Sequence, residues 1–97
     1  EHMIMTNEPG FYAPGSHGLR LENQMETCLA HKTETGDYLC FKTLTLAPID
    51  TRGIILSRLT DTERNWLNSY HARVLEQIGP HLADEERLWL ERACQPL

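Results

Sequence analysis

The sequence lacks a paired-cysteine motif, a long apolar run and a concentration of positive charge, and each absence excludes a class of protein. Its three cysteines, Cys28, Cys40 and Cys94, are widely spaced and form no Cys-x-x-Cys pair. A disulfide framework or a structural zinc site is therefore not expected, and we expect buried, reduced thiols. The net charge is −5 with scattered basic residues, which argues against nucleic-acid or polybasic membrane binding.

The apolar runs are also far shorter than a membrane-spanning helix, which needs roughly 20 residues. One of the longest is Gly53 to Leu56. No signal peptide is visible, so a cytoplasmic location is the default expectation. With 97 residues, of which 40% are hydrophobic, the chain is one globular domain at most, or a piece of a larger one, and its opening residues suggest the latter.

The first half of the sequence predicts β-strands. Residues 3–6 resemble the end of a short strand, and residues 7–18, with two prolines and three glycines, predict a loop. Alternating apolar residues predict a strand over 19–29. Residues 31–37 suit a hairpin connection, and residues 38–46 predict another strand that ends before Pro48.

The second half predicts two helices. The segment from Thr60 to Glu63 has the spacing of a capping box, and Gly79-Pro80 ends the first helix. A second helix is expected from Asp84 to before Pro96. The residues expected to face inward are Trp66, Leu67, Tyr70, Val74 and Ile78 on the first helix and Leu88, Trp89 and Ala93 on the second. About three strands followed by two helices is an α+β arrangement.

Two glutamates flank the predicted loop. Glu8 precedes Pro9-Gly10, and Glu22 lies near Arg20. If the loop brings the two carboxylates together, they need a cation or a shared proton, and hard divalent ions such as Mn²⁺ or Mg²⁺ suit carboxylates. Spacing alone leaves open that one is a turn residue and the other a solvated strand residue.

The residues around these glutamates add a resemblance. "TNEPGFY" (6–12) and "GLRLEN" (18–23) resemble the two glutamate motifs of the pita-bread metallopeptidases, the family of methionine aminopeptidase, prolidase and Xaa-Pro aminopeptidase. The resemblance implies a dinuclear metal centre held by two Asp, one His and two Glu, in that chain order. It also implies a bridging hydroxide that attacks the carbonyl of an Xaa-Pro bond.

The resemblance assigns roles residue by residue. Glu8 matches the fourth ligand, which binds one metal and is thought to shuttle protons, and Glu22 matches the fifth, which bridges both metals. Arg20 matches an arginine beside the site, and Tyr12 matches a tyrosine near it. Two divalent ions are implied, with Mn²⁺ expected first and Co²⁺ or Zn²⁺ as alternatives.

The rest of the chain resembles one branch of that family. "LCFKTLTLAPID" (39–50), "WLNSYHARVLEQIGPHL" (66–82) and "WLERACQPL" (89–97) resemble the C-terminal extension of the large three-domain Xaa-Pro aminopeptidases. This implies that residues 1–47 are strands of a pita-bread catalytic domain and residues 48–97 a helical extension. It implies a peptide substrate with proline at the second position, and a homodimer formed through the C-terminal region.

By chain order the three remaining ligands would precede residue 1, so we expect a C-terminal fragment that is inactive alone and retains no bound metal. The five histidines do not occupy the family's ligand position. We expect His17 and His31 to face solvent, and His71 and His81 to be on the surface or partly buried.

Two other hypotheses remain open. The chain could be a non-catalytic interaction or dimerisation module, with Trp66, Tyr70 and Trp89 supplying interface area. Those aromatic residues could equally pack the helices onto the sheet. A catalytically silent relative that kept only the fold is the third reading.

Overall fold

In the computed structural model, residues 2–97 are described, and the chain divides into two compact units. The first ends at Thr45, and the second spans Leu46–Leu97. Within the described residues the first unit carries the β-strands and the second carries the α-helices. The predicted α+β class is therefore confirmed.

Residues 2–45 contain five strands where about three were predicted. They are β1 (Ile4–Asn7), β2 (Gly10–Ala13), β3 (His17–Arg20), β4 (Asn23–Thr33) and β5 (Gly36–Thr43). An antiparallel sheet has the order β1-β4-β5, and β2 and β3 form a separate antiparallel pair.

The prediction of a loop over residues 7–18 is wrong, because β2 and β3 form a hairpin there. The prolines and glycines suggested a loop, but Gly10 and Gly18 lie in extended strands on either side of the Tyr12 ring. A Cβ at either glycine would come within 2.8 Å of that ring. Of the three glycines in residues 7–18, Gly15 has a positive φ, 72°, and it lies in the turn of the hairpin.

The prediction of one strand over residues 19–29 is also wrong. The chain leaves the β2–β3 pair after Arg20 and enters the three-stranded sheet at Asn23, which pairs with Asn7. Between them, the Leu21 N–H donates to the Pro9 carbonyl at 3.0 Å. Apolar and polar residues alternate throughout this region because both segments are extended. The alternation therefore did not reveal that the chain changes its partner strand.

The polar segment 31–37 was predicted to be a connection, yet β4 continues to Thr33 and β5 begins at Gly36. His31 stacks on Tyr38 with ring centroids 4.8 Å apart. The Thr33 hydroxyl donates to the Gly36 carbonyl at 2.9 Å, which closes a two-residue turn. The register shifts by one residue between Leu29 and His31, which is the signature of a β-bulge.

The second unit contains α1 (Asp61–Ile78) and α2 (Asp84–Ala93), with 3₁₀ turns at Thr51–Gly53, Leu56–Arg58 and Gly79–His81. The predicted capping box is confirmed: the Glu63 N–H donates to the Thr60 hydroxyl at 3.2 Å, and Glu63 accepts the Thr60 N–H at 2.8 Å. The hydrogen bonds that the Glu63 carboxylate accepts from the Thr60 N–H and from the Thr60 hydroxyl lower the pKa of Glu63. As predicted, α1 ends before Gly79-Pro80.

The core of this unit lies between the two helices and the segment before them. Its buried apolar residues are Leu67, Tyr70, Val74, Leu90 and Cys94. Three predicted inward residues, Trp66, Leu88 and Trp89, are instead 52%, 56% and 57% exposed. Leu90 on α2 and Cys94, the residue that follows α2, are four positions apart and therefore lie on the same side of the helix. Both are buried, so this side of α2 faces the core.

The thiol prediction is correct for one cysteine and wrong for another. Cys94 is buried, Cys28 is half-buried and Cys40 is exposed. Burial raises the pKa of the Cys94 thiol. Cys28 and Cys40 lie on neighbouring strands whose side chains face outward at those positions, so apolar character alone did not bury them.

Two polar side chains of α1 hold the preceding segment. The Tyr70 hydroxyl donates to the Ala47 carbonyl at 2.8 Å, and the Nε2 atom of His71 accepts the Ile49 N–H at 3.0 Å. His71 is fully buried, whereas a surface or partly buried position was predicted. His17, His31 and His81 are exposed. Neither helix of residues 2–97 is long and apolar enough to cross a membrane.

The buried His71 predicts a pH-dependent stability. Burial lowers the pKa of His71 below its usual 6.5, so the unfolded chain takes up a proton at a higher pH than the folded chain does. The free energy of unfolding should be greatest above pH 6.5. It should decrease as the pH falls from 6.5 toward the lowered pKa, by at most about 1.4 kcal/mol per pH unit.

Urea unfolding measured from pH 7.5 to 5 checks this prediction. His71→Gln should remove the slope assigned to this residue, and the exposed control His81→Gln should retain it. A slope that is the same in wild type and His71→Gln would contradict the prediction.

Candidate metal centre

Glu8 lies in the two-residue connection between β1 and β2. Pro9 follows it and fixes its own φ, and the Thr6 hydroxyl donates to the Oε1 atom of Glu8. The side chain of Glu8 is 39% exposed. The carboxylate is therefore held at the surface by a neighbour on β1, with its Oε2 atom left for another partner.

Arg20 and Glu22 reach Glu8 because the β2–β3 hairpin returns to its own starting point. Arg20 is the last residue of β3 and pairs with Gly10, the first residue of β2. The hydrogen bond from Leu21 to Pro9 continues this pairing by one step. Residues 20–22 consequently lie beside residue 8, although 12 to 14 positions separate them in the sequence.

The guanidinium of Arg20 joins the two carboxylates. Its Nη1 atom is 3.3 Å from Oε2 of Glu8, and its Nη2 atom is 3.2 Å from Oε2 of Glu22. We call these three residues the acid–arginine cluster. The side chains of Arg20 and Glu22 are 51% and 38% exposed, so each ion pair contributes only about 0–1 kcal/mol.

In the acid–arginine cluster both glutamates contact one positive group, the guanidinium of Arg20. The predicted strand over 19–29 would have included Glu22; instead, Glu22 lies in the break between β3 and β4. That break lets Glu22 turn toward Arg20. A continuous strand would fix its direction by strict alternation.

Tyr12 is placed differently from the other predicted site residues. It lies on β2 opposite Gly18, and its ring lies over Gly10 and Gly18. The side chain is exposed. Among the described residues, Tyr12 makes no hydrogen bond to the acid–arginine cluster, so the structure gathers three of the four predicted residues and leaves Tyr12 on the adjoining hairpin.

The donor set suits a hard divalent cation in part. Carboxylate oxygens are the ligands that Mn²⁺ and Mg²⁺ prefer, and the position of Arg20 shows that the pair accommodates positive charge between its members. No group of three or more His, Cys, Asp or Glu side chains able to hold a metal occurs in residues 2–97.

Sequence reasoning missed Thr6, whose hydroxyl orients Glu8. Its position two residues before the glutamate was a usable signal, because residues two apart on an extended segment point to the same side. It also missed the structural role of His71, whose position four residues after Leu67 and three before Val74 places it on the apolar face of the predicted helix.

Comparisons with known proteins identify a family and several similar relatives. Residues 37–97 match the family model described as the C-terminal region of peptidase M24. The chain is 46% identical to the Xaa-Pro aminopeptidase app-1 of Caenorhabditis elegans over 99 aligned residues, covering 97% of this chain and 16% of that protein. It is also 46% identical to aminopeptidase P1 of Lotus japonicus, covering 98% of this chain and 15% of that protein.

A solved structure gives the same result. The crystal structure of the X-prolyl aminopeptidase of Caenorhabditis elegans, described as a cytosolic enzyme with a di-nuclear active site, superposes with a TM-score of 0.86 at 45% identity. The match covers 97% of this chain and 16% of that one. The chain thus spans about one sixth of the length of these relatives.

Proposed function

Because the chain belongs to the family of the C-terminal region of peptidase M24, we propose that Glu8 and Glu22 are two ligands of a dinuclear metal centre. The enzyme to which this sequence contributes would remove an N-terminal residue that precedes proline. The observation that carries the proposal is the acid–arginine cluster, in which one cation already gathers both carboxylates. The relatives named Xaa-Pro aminopeptidase support the substrate class.

Each residue has a distinct part in this proposal. Glu22 would bridge the two ions, and Glu8 would bind one ion and hold a proton on its carboxylate during the reaction. Arg20 would be a positioning residue that keeps both carboxylates turned to one side. Tyr12, on the adjoining hairpin, would offer its hydroxyl to the bound peptide.

When bound, the two ions would supply polarisation of the scissile carbonyl and activation of water for its attack. Mn²⁺ is the ion that we propose first, because both ligands from this chain are hard oxygen donors. Co²⁺ and Zn²⁺ are the alternatives, since carboxylates also bind them.

The proposed location and partners rest on the net charge of the chain and on its relatives. We propose a cytoplasmic location, in keeping with the relative described as cytosolic. The proposed partner is a peptide with proline at its second position. Nucleic acid and membrane surfaces are not proposed partners, because the net charge of −5 is unfavourable to both.

The 97-residue chain alone should bind metal weakly and show no activity, because it supplies two ligands of a larger set. Titration with MnCl₂, followed by paramagnetic broadening in NMR spectra, should affect Glu8 and Glu22 together in the millimolar range. Glu8→Gln and Glu22→Gln should each reduce this broadening. Glu34→Gln, in the turn between β4 and β5, is the matched control and should not.

Two results would contradict this part of the proposal. One is tight binding of two Mn²⁺ per chain, or release of the first residue of an Xaa-Pro peptide by the chain alone, which would mean that the ligand set is complete. The other is broadening centred on the acidic first turn of α2, Asp84 to Glu86, with sharp signals at Glu8 and Glu22.

A second candidate role is self-association through the second unit. Trp89 and Leu88 are more than half exposed on α2, and Trp66 is exposed on α1 with its ring stacked on Tyr70, centroids 5.5 Å apart. Exposed tryptophans are typical of the centre of protein interfaces. We propose that this surface forms the homodimer contact.

Light scattering over a concentration series checks the dimer proposal. The wild-type chain should move from monomer to dimer as its concentration rises, and Trp89→Ala should weaken dimerisation by about tenfold or more, as expected for a central interface aromatic. Tyr38→Ala, which removes an exposed aromatic from the first unit, should have no effect. A monomer at every concentration would contradict the proposal.

A further inference from the structure

Two cysteines face each other across the β4–β5 hairpin. Cys28 and Cys40 are direct partners in the antiparallel register, and their Sγ atoms are 3.7 Å apart. Cys40 is exposed and Cys28 is half-buried. Cys94 lies in the core of the second unit and is not part of this pair.

The register of β4 and β5 suits a disulfide between these two residues. Directly opposed residues of an antiparallel pair have Cα atoms about 4.5–5.5 Å apart, and a disulfide tolerates about 4.4–6.8 Å. Bond formation would require only that the sulfurs close from 3.7 Å to about 2.05 Å by side-chain rotation. No movement of either strand is needed.

We propose that Cys28 and Cys40 form a reversible cross-strand disulfide, which makes the β4–β5 hairpin a redox-sensitive element. This site is independent of the proposed metal ligands. The bond would close a short loop and lock the two strands in register on one side of the bulge between Leu29 and His31. It should therefore slow local opening of the hairpin.

The oxidant would be a small-molecule disulfide such as oxidised glutathione. The Cys40 thiolate attacks one sulfur of that disulfide, which forms a mixed disulfide and releases the first thiolate. The Cys28 thiolate then attacks the Sγ atom of Cys40, and the second small thiolate leaves. The protein loses two protons and two electrons, and the small disulfide is reduced to two thiols.

The structure indicates this order of attack. Cys40 is the more accessible thiol. The hydrogen bond with Cys40, and then burial, raise the pKa of the Cys28 thiol, which is also the less accessible of the two. The close approach of the two sulfurs makes the second step intramolecular, and it should proceed faster than attack by another chain.

The test equilibrates the folded chain with reduced and oxidised glutathione over a range of ratios, followed by acid quenching, alkylation and peptide mapping. The expected product contains no disulfide between chains, and Cys28 is linked to Cys40. Before alkylation it is two hydrogen atoms lighter than the reduced chain, and peptide mapping should find Cys94 alkylated. Dithiothreitol should reverse it. Amide exchange in residues 28–40 should be slower in the oxidised chain.

Two variants separate the possible outcomes. Cys94→Ser should form the same bridge as the wild type, and Cys28→Ser should stop at a mixed disulfide of Cys40 with glutathione. The proposal is overturned if the wild-type chain gives only glutathione adducts, disulfides between chains, a bridge that includes Cys94, or no oxidation at all.

Discussion

The arrangement of the first unit depends on a constraint of charge: two carboxylates are held near each other, and a third group must neutralise them. In water, two unit charges about 4 Å apart interact by about 1 kcal/mol, so an unneutralised pair would be slightly unfavourable. Arg20 meets this requirement with one nitrogen for each carboxylate, at 3.3 and 3.2 Å. The same requirement is what makes the pair suitable for a metal cation.

The backbone brings the charged residues of the cluster close together. The β2–β3 hairpin starts just after Glu8 and ends at Arg20, so closing the hairpin places the two residues side by side. The chain then changes sheets at Leu21 and Glu22, which frees Glu22 from strand alternation. In the second unit, His71 and Tyr70 each make a hydrogen bond to the backbone of the segment before α1. In each unit a few polar contacts fix where the connecting chain runs.

The sequence predicted the class of the fold, both helices and the capping box at Thr60, because local signals determine these features. It also singled out Glu8, Glu22 and Arg20, which two ion pairs join, while their role as site residues stays a prediction. It did not predict the β2–β3 hairpin, because glycine and proline occur both in loops and beside an aromatic ring such as Tyr12. The exposure of Trp66 and Trp89 was also beyond reach, since periodicity defines a helix face but not its boundary to within one residue.

The central claim is that Arg20 holds the cluster closed, and amide exchange at Leu21 measures this most directly, because that N–H donates to Pro9 at the base of the hairpin. In Arg20→Met the Leu21 amide should exchange about two- to fivefold faster, corresponding to about 0.5–1 kcal/mol. Lys32→Met, which removes the exposed Lys32–Asp37 pair, should leave Leu21 unchanged. Equal exchange at Leu21 in wild type and Arg20→Met would contradict the account.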